Sequence, residues 1–121
     1  LLLRSPGFHT GQNFLRIVTS EDLVAAATTL PGEVLLAIEY IDAATTDGLA
    51  RKYRMMFIDR ALYPFHLAIS ADWKVHYFSA AMKDRPDLCE EERSSLNNIR
   101  ATLGARAYTA LDDVQTCLGF D

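Results

Sequence analysis

Long apolar runs are missing from this sequence. No stretch approaches the ~20 residues that span a bilayer, and the first residues hold no apolar segment of signal-peptide length. Cysteine is scarce as well: Cys89 and Cys117 are the only two. They lie in no CxxC and no Cys/His cluster, so no oxidising compartment is required. Both read as small buried or half-buried hydrophobes. The three histidines, His9, His66 and His76, lack an H-x-x-x-H spacing, which argues against zinc. Positive charge is not in excess. Twelve Lys and Arg against 16 Asp and Glu leave a formal charge of −4, which removes the usual electrostatic footprint of a nucleic-acid binder. No Gly-Lys-Ser/Thr closes a phosphate loop, and no serine sits in a G-x-S-x-G elbow. The expectation is a cytoplasmic protein with neither nucleic acid nor membrane as partner.

What remains is ordinary globular material. Half of the 121 residues are hydrophobic and 23% are charged, which excludes intrinsic disorder. The length is that of one domain with its own core. The chain starts Leu1-Leu2-Leu3 without Met and stops at Gly119-Phe120-Asp121, which reads as the cut edges of something longer. Charge is uneven along it. Residues 1–82 carry seven basic and eight acidic side chains, and residues 83–121 carry five and eight.

Periodicity and punctuation give the order of elements. Leu1–Arg4 reads as a short strand, Ser5–Gly11 as a glycine-containing loop, and Phe14–Val18 as a second strand. Thr19 with Asp22 has capping-box spacing. Leu23, Val24, Ala27 and Leu30 then share a helix face that Pro31-Gly32 ends. Val34–Ile41 is a near-continuous apolar run, as in a strand covered on both faces. Lys52–Asp59 and Leu62–Ser70 read as strands joined at Asp59-Arg60, with Pro64 required to sit at an edge, a bulge or a strand start. Val75–Phe78 reads as one more short strand. A helix starts at Pro86-Asp87, with Asp87 and Glu90 at capping-box spacing and Leu96, Ile99 and Leu103 on one face. Gly104 closes it, and a second helix from Ala105 closes at Gly119. Strands followed by helices predict an α+β fold. The predicted units are a small β-β-α-β lobe over 1–41, then antiparallel strands and two helices over 42–121.

Three clusters could carry chemistry. Arg4, at the end of a strand that opens into the Ser5–Gly11 loop, can offer charge and backbone N–H groups to phosphate oxygens. Glu39-Tyr40-Ile41-Asp42, where an apolar run turns polar, can hydrogen-bond an adenine edge while aliphatics pack on the ring. Lys52 and Arg54 share one strand face by period two, and Lys74 and His76 repeat the spacing. With His66 they could make a cationic floor for phosphates or a carboxylate. Glu90-Glu91-Glu92 reads as a solvated face.

The order of elements and these residues together resemble the middle of an ATP-grasp enzyme, the superfamily of D-alanine ligase, glutathione synthetase and biotin carboxylase. The likeness runs from Leu1 to about Ser70 and more loosely to Asp121. Leu2-Leu3-Arg4-Ser5-Pro6-Gly7 looks like the strand whose cation enters the phosphate loop, and Ser20–Leu30 like the helix of the small lobe. Ile38-Glu39-Tyr40-Ile41 looks like the adenine hinge, and Lys52-Tyr53-Arg54 like the strand that follows. Asp72-Trp73-Lys74-Val75-His76 is similar to a glutathione synthetase-like stretch that contacts phosphates and the acceptor. The wording from Tyr53 to Phe78 also resembles bacterial ATP-grasp-like regions attached to tetratricopeptide repeats, which would put such a region in the same polypeptide.

The resemblance implies ATP and Mg²⁺ as cofactors and a small carboxylate as substrate. The reaction would be ATP-dependent ligation of that carboxylate to an amine or thiol through an acyl phosphate. Arg4, Ser5, Gly7 and Gly11 would hold phosphates, and Glu39, Tyr40 and Ile41 would hold adenine. Arg54, Lys74 and His76 would line the catalytic side. Two departures stand out: Lys52 occupies a position where the family often has an acid for the ribose hydroxyls, and His76 replaces an asparagine. The family's Mg²⁺ ligands follow beyond Asp121, so these 121 residues are expected to be inactive alone. A nucleotide-binding or protein-interaction module without catalysis is the alternative.

Overall fold

A computed structural model describes residues 1–77, 80 and 82–119. The fold is α+β, with a three-stranded and a two-stranded antiparallel sheet. The chain divides into two compact units, Leu1–Ala43 and Ala44–Asp121. Among the described residues no helix is long and apolar enough to cross a membrane.

In the first unit β1 (Leu2–Arg4) is central, flanked by β2 (Phe14–Arg16) and β3 (Leu36–Ile38). Arg4 stands opposite Phe14 on one side and Leu36 on the other, and Leu2 opposite Arg16 and Ile38. Cross-strand partners share a face. One face therefore carries Leu2, Arg4, Phe14, Arg16, Leu36 and Ile38. The other supplies Leu3, Ile17 and Leu35 to a core completed by Ala26 of α1 (Ser20–Thr29) and by Leu30, the residue that caps its C-terminus.

The capping box that opens α1 is present. The Thr19 hydroxyl accepts from the Asp22 backbone N–H at 3.2 Å, and the Asp22 carboxylate accepts from the Thr19 N–H at 2.9 Å. Those backbone bonds hold the Asp22 carboxyl below its usual range. Leu30 leaves the helix in an extended conformation just before Pro31, as the residue preceding a proline prefers.

Two expectations fail in this unit. The buried stripe of α1 is Ala26 and Leu30, whereas Ala27 is exposed and Val24 is 69% exposed. Ala25-Ala26-Ala27 offers no hydrophobic contrast from which the buried face could be read. Val34–Ile41 is not a strand covered on both faces. Only Leu36–Ile38 pairs, at the edge of the sheet, and all three residues are exposed.

The second unit is built on a long hairpin, β4 (Ala50–Ile58) and β5 (Ala61–Ser70). Asp59 and Arg60 both have positive φ, 48° and 60°, the geometry of a two-residue type I′ turn whose twist matches the strands. The pairing slips between Arg54 and Met55: Met55 faces Pro64, but Arg54 faces His66. Phe65 is the extra residue of a β-bulge. Pro64, with no N–H to give, sits at this irregularity, as the sequence required.

One hairpin face packs under α2 (Pro86–Asn97). Its core is Leu67, Ile69, Met82 and Leu88, with Tyr53, Leu49 and Cys89 against it. The outer edge of β5 is closed there. The Leu67 N–H donates to the Glu92 carboxylate at 3.1 Å, and the Ile69 N–H to the Met82 sulfur at 3.3 Å. Glu91 accepts from Arg51 Nε at 2.5 Å and Nη2 at 3.0 Å, while Asp47 accepts from the same Nη2 at 2.8 Å and from Nη1 at 3.2 Å. These contacts keep the Asp47 carboxyl well below its usual range, the Arg51 side chain being the largest cause and Thr45 the next. Glu90 pairs with Arg93. Glu90-Glu91-Glu92 is therefore not a free solvated face. Its carboxylates point three ways, and two of them fix the helix to the hairpin.

Helix α2 has no side-chain cap. Arg85 is the N-cap and pairs with Asp87 at 2.6 Å, so Asp87 does not act with Glu90 as a capping box. The helix stops at Asn98, earlier than Gly104. Helix α3 (Ile99–Leu118) then bends at Gly104, whose φ of 75° and ψ of 162° are open essentially to glycine alone. Gly119 ends α3 in the left-handed region. Cys89 is half-buried, but Cys117 is exposed, in the last turn of α3. Val75, His76 and Tyr77 form no strand, and Phe78 lies outside the described residues.

Candidate functional site

In the first unit Arg4 ends β1 and turns back on its own loop. Its Nη2 donates to the Phe8 carbonyl at 2.6 Å, and its guanidinium lies 5.9 Å from the Phe14 ring centre. The remaining donors of its fork have no hydrogen-bond partner among the described residues. The loop is tightly coiled. Gly7, Thr10, Gly11 and Asn13 all have positive φ, and the Ser5 N–H closes the loop on the Asn13 carbonyl at 3.0 Å. The Ser5 hydroxyl is buried without a hydrogen-bond partner among the described residues.

Glu39, Tyr40 and Ile41 follow β3 at the end of the sheet away from that loop, since Arg4 pairs with Leu36 and Leu2 with Ile38. Glu39 is exposed and Ile41 is 75% exposed. The Tyr40 ring lies under the Arg16 guanidinium, 3.9 Å from its centre.

In the second unit the hairpin face away from α2 carries Lys52, Arg54, His66 and Ala68. Together with the segment after β5 it forms a cleft of about 400 Å³. Lys52, Arg54, His66, His76 and Tyr77 line it, with Tyr53 and Met55. Lys52 Nζ donates to the Val75 carbonyl at 3.4 Å, which ties the 75–77 segment to β4. His66 stacks on Tyr77 with ring centres 4.3 Å apart. The Arg54 guanidinium lies 5.4 Å from the Phe65 ring centre and has no hydrogen bond or ion pair among the described residues. A charged fork with open donors beside a lysine and two imidazoles is suited to an oxyanion.

Burial is the main reason the His66 imidazole is held below its ordinary pKa. Arg54 and Lys52 add to the effect, and Glu92 opposes it. The Nδ1 atom is buried with no hydrogen-bond partner among the described residues. Folding therefore favours the neutral ring. This contribution to stability is present above the ordinary value of 6.5 and is lost as pH falls through the lowered folded value. Urea midpoints taken from about pH 7.5 down to about pH 5.5 should fall in the native chain and fall less in His66→Gln. Parallel curves would contradict this.

The structure thus brings Arg54 and His76 into one cleft, but Lys74 is not among its lining residues. Lys74 sits in the bend after β5, 5.9 Å from the Trp73 ring centre, because 71–76 is irregular chain and strand spacing does not apply to it. Tyr77 was missed by sequence reasoning, since a strand over 75–78 would turn it away from His76. A second cleft of about 420 Å³ mixes Asp72 and Asp84 with Arg85, whose guanidinium is taken by Asp87, so it does not favour an anion. Among the described residues no group of three or more His, Cys, Asp or Glu side chains could hold a metal ion. No family model, curated protein or solved structure matches this chain.

Proposed function

We propose that this chain supplies phosphate-handling elements of an ATP-dependent carboxylate ligase of the ATP-grasp kind. The observation that carries the reading is the cleft in which Lys52, Arg54, His66 and His76 meet on one hairpin face. Phosphoryl transfer asks little covalent chemistry of a protein. It asks for positioning and for neutralisation of charge on the equatorial oxygens. The open Arg54 fork suits that task, and Lys52 adds a point charge. In the first unit the open donors of Arg4 are a second set of groups suited to phosphate oxygens, whereas the Ser5 hydroxyl is buried away from any ligand. Mg²⁺, if bound, would supply further neutralisation of phosphate charge. A small carboxylate is the substrate this reading implies.

The test is ATP turnover, followed by mass spectrometry, in a protein containing this chain and offered candidate acids. ADP and an amide or thioester product support the ligase. Arg4→Ala should weaken nucleotide binding by about tenfold, the loss of one charge-assisted contact. Unchanged affinity would remove Arg4 from the site. A second reading is a nucleotide-binding module without catalysis. It is favoured by Lys52, which cannot accept hydrogen bonds from ribose hydroxyls. Binding without ADP formation would select it.

A further inference from the structure

We propose that oxyanion binding in the β4–β5 cleft is coupled to uptake of one proton by His66, so that the site binds a phosphoryl-type dianion more tightly as pH falls below neutrality. The inference rests on the reading of that cleft as a phosphate site and adds its regulation.

The geometry carries it. The bulge at Phe65 turns His66 onto the Arg54 face, directly opposite Arg54 in register. The ring is clamped by Tyr77 at 4.3 Å and lines the same cleft as Lys52, Arg54 and His76. Its Nδ1 is out of water with no protein partner among the described residues, an unusual state for a buried polar atom. The charged and titratable groups around it are few. Arg54 and Lys52 come from β4, and Glu92 from α2, where it is held by the Leu67 N–H. His76 and Tyr77 come from the segment after β5.

A positive charge on His66 meets two cations and one carboxylate in the protein alone, and the neutral ring is favoured. A dianion beside Arg54 and Lys52 reverses that balance. It offsets both cations, so that a positive charge on the His66 ring is favoured rather than opposed. Linkage then requires that whatever raises the proton affinity of His66 also raises the anion affinity at low pH by the same factor. A carboxylate monoanion offers half the charge and should couple more weakly.

The experiment is a pH titration of the histidine ring signals of the whole chain by NMR, without and with inorganic sulfate, a dianion that does not itself titrate near neutrality. The His66 midpoint should rise by about one pH unit with sulfate and by less with acetate. Sulfate affinity should then be about tenfold higher at low pH than at high pH. In His66→Gln the sulfate affinity should become flat with pH over that range. If that variant does not fold, the native titration decides alone. Sulfate perturbing Lys52 and Arg54 while the His66 midpoint stays still overturns the proton coupling and leaves the anion site standing. Sulfate perturbing neither overturns both. A midpoint rise as large with acetate as with sulfate overturns the preference for a dianion.

Discussion

Leu67→Ala is expected to destabilise the second unit by about 2–5 kcal/mol. Leu67 is 0% exposed, sits at the centre of the Leu67–Ile69–Met82–Leu88 core, and faces Tyr53 across the hairpin. A two-stranded ribbon is marginal by itself, so β4 and β5 depend on the contact with α2 that Leu67 anchors. A domain holds only about 5–15 kcal/mol in total, so one such truncation removes a large part. Trp73, the only tryptophan, lies in this unit, and its fluorescence in a urea series reads the loss. Ile38→Ala, at an exposed edge strand, should change little. An unmoved midpoint in Leu67→Ala would mean that the hairpin does not depend on this core.

Arg54→Ala should weaken binding of pyrophosphate or ATP by about tenfold to a hundredfold, because a hydrogen bond to a charged group contributes about 1.5–3 kcal/mol. The guanidinium lies by the Phe65 ring but has no hydrogen bond or ion pair among the described residues, so its donors are available to a ligand. Lys74→Ala is the contrast. Lys74 lies outside the lining residues of the cleft, and its loss should change affinity by less than about threefold, the range of a screened surface charge. Calorimetry on both variants tests the pair. Equal losses would mean that the cleft is not where phosphate binds.

Local signals were legible where one residue type has one physical use. Thr19 and Asp22 could be read as a cap because their side chains answer each other's backbone. Gly119 could be read as a helix end, and Pro64 as an irregularity. The register at the site was less accessible. Counting back from the Asp59-Arg60 turn pairs Met55 with Pro64 correctly, then would pair Arg54 with Phe65 and turn His66 to the helix side. The bulge adds one residue and reverses that, so His66 reaches the Arg54 face only because Pro64 disturbs the ladder. Continuous apolarity in Val34–Ile41 carried no period, and without a period nothing indicates how many faces are covered. Glu91 and Glu92 read as surface because their partners, Arg51 and the Leu67 N–H, are distant in sequence. Lys74 and His76 shared strand spacing on paper, but the chain there is not a strand.

The most direct test of a phosphate site on this hairpin is backbone and side-chain NMR of the chain during addition of ATP. The predicted result is a set of shifts at Lys52, Arg54, His66, His76 and Tyr77 that Arg54→Ala suppresses. Shifts confined to the Asp72 and Asp84 cleft, or no shifts at Lys52 and Arg54 at any ATP concentration, would contradict it.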